Sequence, residues 1–456
     1  MTQASASKSS GGKIRLGEKI GYGIGDMGFN FYWANISAFL LIFYTDVMGL
    51  SAAAVGTMIL ITKIIDAFTD PLVGAIADRT RTRFGKFRPY LLFAALPMAG
   101  AGILTYSTPD LDETGKLIWA YATYSLMMLV YTVLSTPYSA LSGVITADSQ
   151  ERTTLISFRF IAAFTGTTIV NYFTLDMVQW LGQGNDELGW QLTMAVYGAA
   201  AAIMFMIVFF TTRERIEPPP QQQTPVMQDI RDLLGNGPWL VLFSLALIIM
   251  ITIVMRAGSI VYYLKYYIEQ PELTGSFLGA YSIALAVGAA STPIMTRFLD
   301  KKNLMMLLMA VAGVLSCLMF FVPKDMVWLM FVMNTLIGFA LGPKSPLAFS
   351  MYADTADYTE WKTGRRATAM TFSAATFSQK LGGAIASAVI AWTLALMGYV
   401  ANEAQSDASQ LGIVLLVTVI PGVVAFIAAF VMRFYTLDNQ TLEKVQAELL
   451  ARKVTG

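Results

Sequence analysis

The chain reads as long apolar runs separated by short polar or Gly/Pro-rich breaks, a pattern of buried helices rather than of alternating strands. The runs fall near 22–46, 52–77, 88–107, 118–145, 154–181 and 191–212, then near 238–267, 273–297, 303–323, 326–350, 367–398 and 411–435. Each reaches the roughly 20 residues that a helix needs to cross a bilayer. Between the two sets lies TTRERIEPPPQQQTPVMQDIRDLLGNGP, whose three consecutive prolines and glutamine run cannot continue a helix and read as a linker. The pattern predicts an all-α membrane protein of twelve transmembrane helices in two six-helix bundles. Their bounds are 1–212 and 238–436, with a linker over 213–237 and a tail over 437–456.

Composition agrees. Of 456 residues 55% are hydrophobic and 13% charged, where a soluble domain carries about 25% charged residues. The opening MTQASASKSSGG has no apolar core ahead of a cleavage site, so the first span is expected to act as the targeting signal. Lys and Arg collect on one side: Lys8, Lys13, Arg15, Lys19, the run Arg79 to Arg88, Arg152, Arg213, Arg215, Arg231, Arg297, Lys301, Lys302, Lys362, Arg365 and Arg366. The other side offers Lys116, Lys265 and Lys324, which predicts cytoplasmic termini and linker. Trp119, Trp180, Trp190 and Trp328 fall at expected outer ends, where indoles favour the interface. Thirty-one basic against thirty acidic residues leave a net charge of +1 and no argument for nucleic acid. One cysteine, Cys317, and no histidine exclude an internal disulfide, Cys-based metal motifs and imidazole chemistry. Proton or cation chemistry must therefore run on carboxylates, and no cofactor is expected.

Two echoes suggest related halves. TADSQERTTLISFR from Thr146 resembles YADTADYTEWKTGRRAT from Tyr352, and DRTRTRFGK resembles TRFLDKKN. Repeated halves with a site between them are a recurrent plan of secondary carriers. In the tail, Leu442, Val445 and Leu449 share one helical stripe, as in an amphipathic surface helix.

Ionisable groups at bilayer depth cost at least about 2.5 kcal/mol each and mark functional candidates. In ITKIIDAFTDPLVG, Asp66 and Asp70 stand one helical turn apart. Two ionised carboxylates there repel unless one is protonated, a hard cation sits between them, or Lys63 neutralises them. A coupling-cation site and a structural Lys-Asp network are the two readings. Thr132, Ser135 and Ser139 follow at helical spacing in the fourth span, where hydroxyls are commonly packing groups. Arg159 offers a fork for sugar hydroxyls or carboxylates, or a clamp with Asp148 or Glu151. Arg256, Lys344 and Lys380 are buried cations that either neutralise carboxylates such as Asp26 and Asp176 or face an anionic ligand. Tyr22, Phe29, Tyr32, Trp33 and Tyr131 are packing aromatics or a stacking platform for a sugar ring, with Asn30 and Asn35 beside them.

GYGIGDMGFNF, FYTDVMGL, DAFTDPLVG, DRTRTRFGKFRP, TPYSAL and ADTADYTEWKTGRR together resemble the glycoside-pentoside-hexuronide:cation symporters of the major facilitator superfamily, from about Leu16 to the tail. The resemblance implies import of a sugar with Na+ or H+ by alternating access. It implies cation contacts at Asp66, Asp70, Thr132 and Lys380, and a sugar contact at Arg159. It also implies an inner gate of charged loops, with Arg79, Arg83 and Lys86 on one side and Asp354, Asp357, Glu360, Arg365 and Arg366 on the other. The expected substrate contacts are Asp26, Asn30, Trp33, Ser135, Ser139, Arg159, Arg256, Lys344 and Thr376.

Departures from the melibiose-carrying members inform the substrate. Asn30 and Ser135 stand where those members have aspartates, and Ser139 where they have a stacking tryptophan. The cavity is thereby less negative, which favours an acidic sugar such as a uronide, or a xyloside, over an α-galactoside. Thr69 replaces an amide between the two aspartates, which points to weaker Na+ binding and leaves the choice between Na+ and H+ open. Rival readings are a lipid or lysolipid carrier on the same architecture, and a membrane sensor or enzyme, for which the chain offers no catalytic motif. A monomer embedded in lipid is expected to suffice.

Overall fold

The computed structural model describes residues 14–146, 149–215, 231, 233–364 and 368–455. Among these the secondary structure is helical apart from one isolated bridge between Thr82 and Gly85. In chain order the helices are α1 (Leu16–Ala38), α2 (Ala52–Arg79), α3 (Ala95–Thr105), α4 (Glu113–Ile145), α5 (Ser149–Gly182) and α6 (Asp186–Thr211). They continue with α7 (Gly237–Tyr267), α8 (Pro271–Met295), α9 (Lys301–Met319) and α10 (Val327–Thr363). The last are α11 (Thr368–Leu396), α12 (Asp407–Phe434) and α13 (Asn439–Thr455). Eight helices among the described residues are long and apolar enough to cross a membrane, and α1 with its continuation Leu40–Val47 makes a ninth.

Short polar side chains start these helices by capping free backbone N–H groups. Asp112 accepts from Gly115, Asn185 from Leu188, Asn236 from Trp239 and Asp300 from Asn303. Internal breaks have local causes. The run GPKSP interrupts α10 at Gly342 and Pro343, where the ring supplies no donor. In α12 the break at Thr418 precedes Pro421, which cannot donate to the carbonyl of Val417 four residues earlier. The first span turns by 56° after Ala38, and both it and α7 end in a π-helical turn, at Phe43–Val47 and Tyr263–Tyr267.

α1 packs on α5 and α6, α3 on α4 and α6, and α2 on α4. In the second half α7 packs on α11 and α12, α9 on α10 and α12, and α8 on α10. The halves meet along α2 with α11, α5 with α8, and α1 with α7. Close approach needs glycine: a Cβ on Gly275 of α8 would stand 2.4 Å from the backbone oxygen of Tyr172 on α5.

Two surface expectations change. Trp190 is not interfacial but buried against Phe43 and Tyr106, whereas Trp180 and Trp328 are exposed. The stripe Leu442, Val445 and Leu449 is buried, with α13 packed on the second segment of α10, and Trp361 Nε1 donates to Glu448 at 2.6 Å.

Candidate functional site

A cavity of about 390 Å³ lies between the two halves, within the roughly 300–1,000 Å³ usual for small-molecule sites. Its wall includes Asp26, Asn30, Trp33 and Tyr131 from the first half and Lys344, Thr376, Gln379 and Lys380 from the second. Asn30 is held by its own helix and by α5, donating to the Asp26 carbonyl at 2.8 Å and accepting from Thr167 at 3.1 Å. Of the aromatic set, Phe29, Trp33 and Tyr131 reach the wall. Tyr32 is buried against Gly102 and Gly198, and Tyr22 stacks on Tyr138.

At one side of this cavity four of the predicted residues converge. The helical turn between Asp66 and Asp70 points both carboxylates at α4, where Thr132 Oγ1 lies 2.8 Å from Asp66 Oδ1 and 3.0 Å from Asp70 Oδ1. A hydroxyl carries one proton and cannot donate fully to both. Three oxygens therefore surround one point with more negative charge than Thr132 can answer. From α11, Lys380 Nζ meets the opposite edges of the same carboxylates, at 3.0 Å from Asp66 Oδ2 and 2.6 Å from Asp70 Oδ2. Lys63 makes no ion pair among the described residues and lies over the Trp33 ring at 5.1 Å. The pair is thus bridged by a base, yet not sealed: the Asp70 side chain is 30% exposed and Lys380 lines the cavity. Such a cluster can bind a proton or a small hard cation if Lys380 withdraws.

The remaining predicted residues divide. Arg159 is joined to α1; of its two expected clamp partners, Asp148 lies outside the described residues and Glu151 pairs with Lys19 at 2.7 Å. Its guanidinium forks onto Asp26, with Nε 3.3 Å from Oδ2 and Nη2 3.2 Å from Oδ1, and lies 4.7 Å from the Tyr138 ring centroid. Arg159 stacks with Tyr22 and Tyr138, while Ser135 and Ser139 are not on the cavity wall and Ser139 is exposed. Asp176 is exposed and pairs with no buried cation among the described residues.

Arg256 does not reach the cavity either. It is buried inside the second half, donating to Val417 O at 2.8 Å, Asn334 Oδ1 at 2.9 Å and Ser316 Oγ at 3.2 Å. Val417 is the carbonyl that Pro421 leaves without a helical partner, so the guanidinium repairs a proline break. Lys344, in contrast, lines the cavity and has neither hydrogen bond nor ion pair among the described residues.

At the basic loop, Arg79 and Arg83 are exposed, and the loop is tied to its own half. Glu214, just past α6, accepts backbone N–H groups of Lys86 at 2.7 Å, Phe87 at 2.8 Å and Arg88 at 3.0 Å. Gly85 adopts φ +108° there, and a Cβ on it would stand 2.6 Å from the Glu214 carboxylate. Asp354 pairs within its own half with Lys301 at 2.6 Å. Arg365 and Arg366 lie outside the described residues.

Sequence reasoning passed over Asp46. It stood inside the quoted run FYTDVMGL, and its signal was a carboxylate at the apolar end of the first span. In the structure it is buried against Lys265, Tyr266 and Tyr399 of the other half.

The model of the family described as MFS/sugar transport protein matches residues 21–439. The inner membrane symporter YicJ of Escherichia coli (strain K12) is 38% identical over 442 residues, spanning 96% of each chain. The glucuronide carrier protein homolog of Escherichia coli (strain K12) is 31% identical over 451 residues, spanning 95% of each. The fold is also similar to that of the xylose transporter XylE from E. coli, with a TM-score of 0.64 at 15% identity over 94% of this chain and 98% of that one. The chain belongs to the MFS/sugar transport proteins, in the glycoside-pentoside-hexuronide:cation symporter family of the major facilitator superfamily, and is a multi-pass protein of the bacterial inner membrane.

Proposed function

We propose that this chain is a cation-coupled glycoside symporter working by alternating access. It has twelve crossings in two bundles, 1–212 and 238–436, joined by a cytoplasmic linker at 213–237, with both termini cytoplasmic. The observation that carries the reading is the cluster of Asp66, Asp70, Thr132 and Lys380, built from both halves at the edge of a central cavity. A Na+ ion or proton entering between the carboxylates displaces Lys380 and releases the tie between α2 and α11. Asn30, Trp33 and Thr376 contact the sugar. Asp26, held by Arg159, presents its remaining acceptor capacity to a hydroxyl. By linkage, cation and sugar raise each other's affinity.

The substrate is an acidic sugar, a uronide in preference to a xyloside. Lys344 supports this reading: an ammonium on the cavity wall without a carboxylate partner among the described residues leaves its charge to be answered by the ligand. A lipid or lysolipid carrier is the second reading, favoured by an apolar groove of about 590 Å³ that shares Phe160, Phe164 and Ser345 with the cavity. The exposed Ile161, Ile283 and Val287 along it make it a seat for membrane acyl chains in the symporter reading.

The test is uptake into vesicles of uronides, xylosides and lysolipids, each under an imposed Na+ or pH gradient. Asp66→Asn and Asp70→Asn should abolish gradient-driven accumulation while leaving downhill sugar exchange. Uphill uptake surviving both changes refutes the coupling site, and lysolipid as sole substrate refutes the sugar reading.

A further inference from the structure

The side chain of Asp46 is 3% exposed, yet it belongs to neither the acid cluster nor the cavity wall. It sits in the π turn that ends the first span, facing the π turn that ends α7. Oδ2 accepts from Lys265 Nζ at 2.6 Å and from the Tyr266 hydroxyl, and Oδ1 accepts from Tyr399 at 2.5 Å and from Thr45 at 2.7 Å. Two carboxylate oxygens offer about four acceptor positions, and four donors fill them. Three of the four come from the other half. Asn402 closes the arrangement, donating to the Asp46 carbonyl at 2.6 Å and accepting from Lys265 at 2.9 Å.

Further contacts join the halves. Gly275 meets the Tyr172 backbone, Asn171 donates to Ser282 at 2.7 Å, and Trp392 donates to Thr57 at 3.3 Å. The end of the first span cannot part from the other half without stripping a buried carboxylate of three donors at once, Lys265 and Tyr266 on α7 and Tyr399 just past α11. The donors share one acceptor group, so partial opening gains nothing that full opening does not, and the joint has two states rather than a continuum.

We propose that Asp46, through Lys265, Tyr266 and Tyr399, is the latch that holds the outer side of the transporter shut, and that its release admits the substrate. This rests on the alternating-access reading above. Asp46 is a gating residue and touches neither sugar nor cation.

The test places a single cysteine at Ser37, on the cavity wall of α1, in a Cys317→Ser background. Right-side-out vesicles are exposed to a membrane-impermeant maleimide without sugar. Tyr399→Phe keeps the ring and removes one charge-assisted hydrogen bond, and should raise the labelling rate about tenfold. Asp46→Asn should raise it at least as much. Combining the two should add little to Asp46→Asn alone, because the hydroxyl has then lost its charged acceptor. Unchanged labelling in both single variants, or simple multiplication of their effects in the double variant, overturns the latch. If Asp46→Asn fails to reach the membrane, Tyr399→Phe and Lys265→Met carry the test. Labelling requires neither sugar nor cation, so a chain that shows the labelling shift but no uptake refutes the symport reading and keeps the latch.

Discussion

Lys380 on α11 places its ammonium 2.6 Å from the Asp70 carboxylate of α2, so the base that answers the acid pair is supplied by the opposite half of the chain. Lys63, one turn from Asp66 on the same helix, goes to Trp33 instead. The cluster therefore ties the halves together, and in the proposed symport cycle an incoming cation competes with a tethered ammonium.

Removing the competitor should tighten cation binding. With Lys380→Met, the cation concentration that half-saturates binding should fall about tenfold or more, since an ammonium at this range interacts by several kcal/mol even at an effective dielectric near 20. Isothermal titration with Na+, and with protons as a pH titration, measures it. An unchanged or weaker affinity would mean that Lys380 supports the bound cation rather than standing in for it.

Lys344→Gln should separate substrates by charge. Uptake of an acidic sugar should drop tenfold or more, the loss expected when a buried charge-assisted hydrogen bond of roughly 1.5–3 kcal/mol disappears. A neutral analogue of the same size should change severalfold less. Equal losses for both would assign Lys344 to the scaffold.

Arg256 and Pro421 should behave as one unit. Arg256→Gln leaves the Val417 carbonyl without its 2.8 Å partner, and each buried polar group so orphaned costs about 1–3 kcal/mol. The thermal unfolding midpoint should fall while substrate selectivity stays as it was. Pro421→Ala returns an N–H to Val417 and should recover part of the loss in the Arg256→Gln background. A change in sugar preference would place Arg256 back at the cavity.

Glu214→Ala should free the basic loop. Three backbone N–H bonds at 2.7 to 3.0 Å hold residues 86–88, and without them the exposed Arg79, Arg81 and Arg83 should be cut faster by trypsin. Inside-out vesicles, assayed by the time course of cleavage, give the comparison. A cleavage rate equal to that of the parent chain would show that Glu214 does not secure the loop.

Local patterns carry as far as local forces do. The apolar runs predict helices, and each run corresponds to one long or briefly interrupted helix; the run near 88–107 breaks at Ala94 into Arg88–Phe93 and Ala95–Thr105, where Pro97 supplies no donor to the Phe93 carbonyl four residues earlier. The spacing of Asp66 and Asp70 places them on one face by helix geometry alone, and the motif set leads to the family without any coordinates. The π turns at Asp46 and Lys265 have no comparable signature, since both look like ordinary span ends.

The sequence by itself determined that this is a helical membrane protein of the sugar symporter family with ionisable groups at a depth where they need partners. The pairing of those groups was left to tertiary structure. Lys380 rather than Lys63 answers the aspartates, Arg159 takes Asp26, Arg256 serves a proline break, Lys344 stays on the cavity wall and Asp46 joins the halves. Helical periodicity acts over a few residues, whereas these partners lie from 133 to 353 positions apart, and only the packing of helix on helix, within each half and between the halves, brings them within a hydrogen bond.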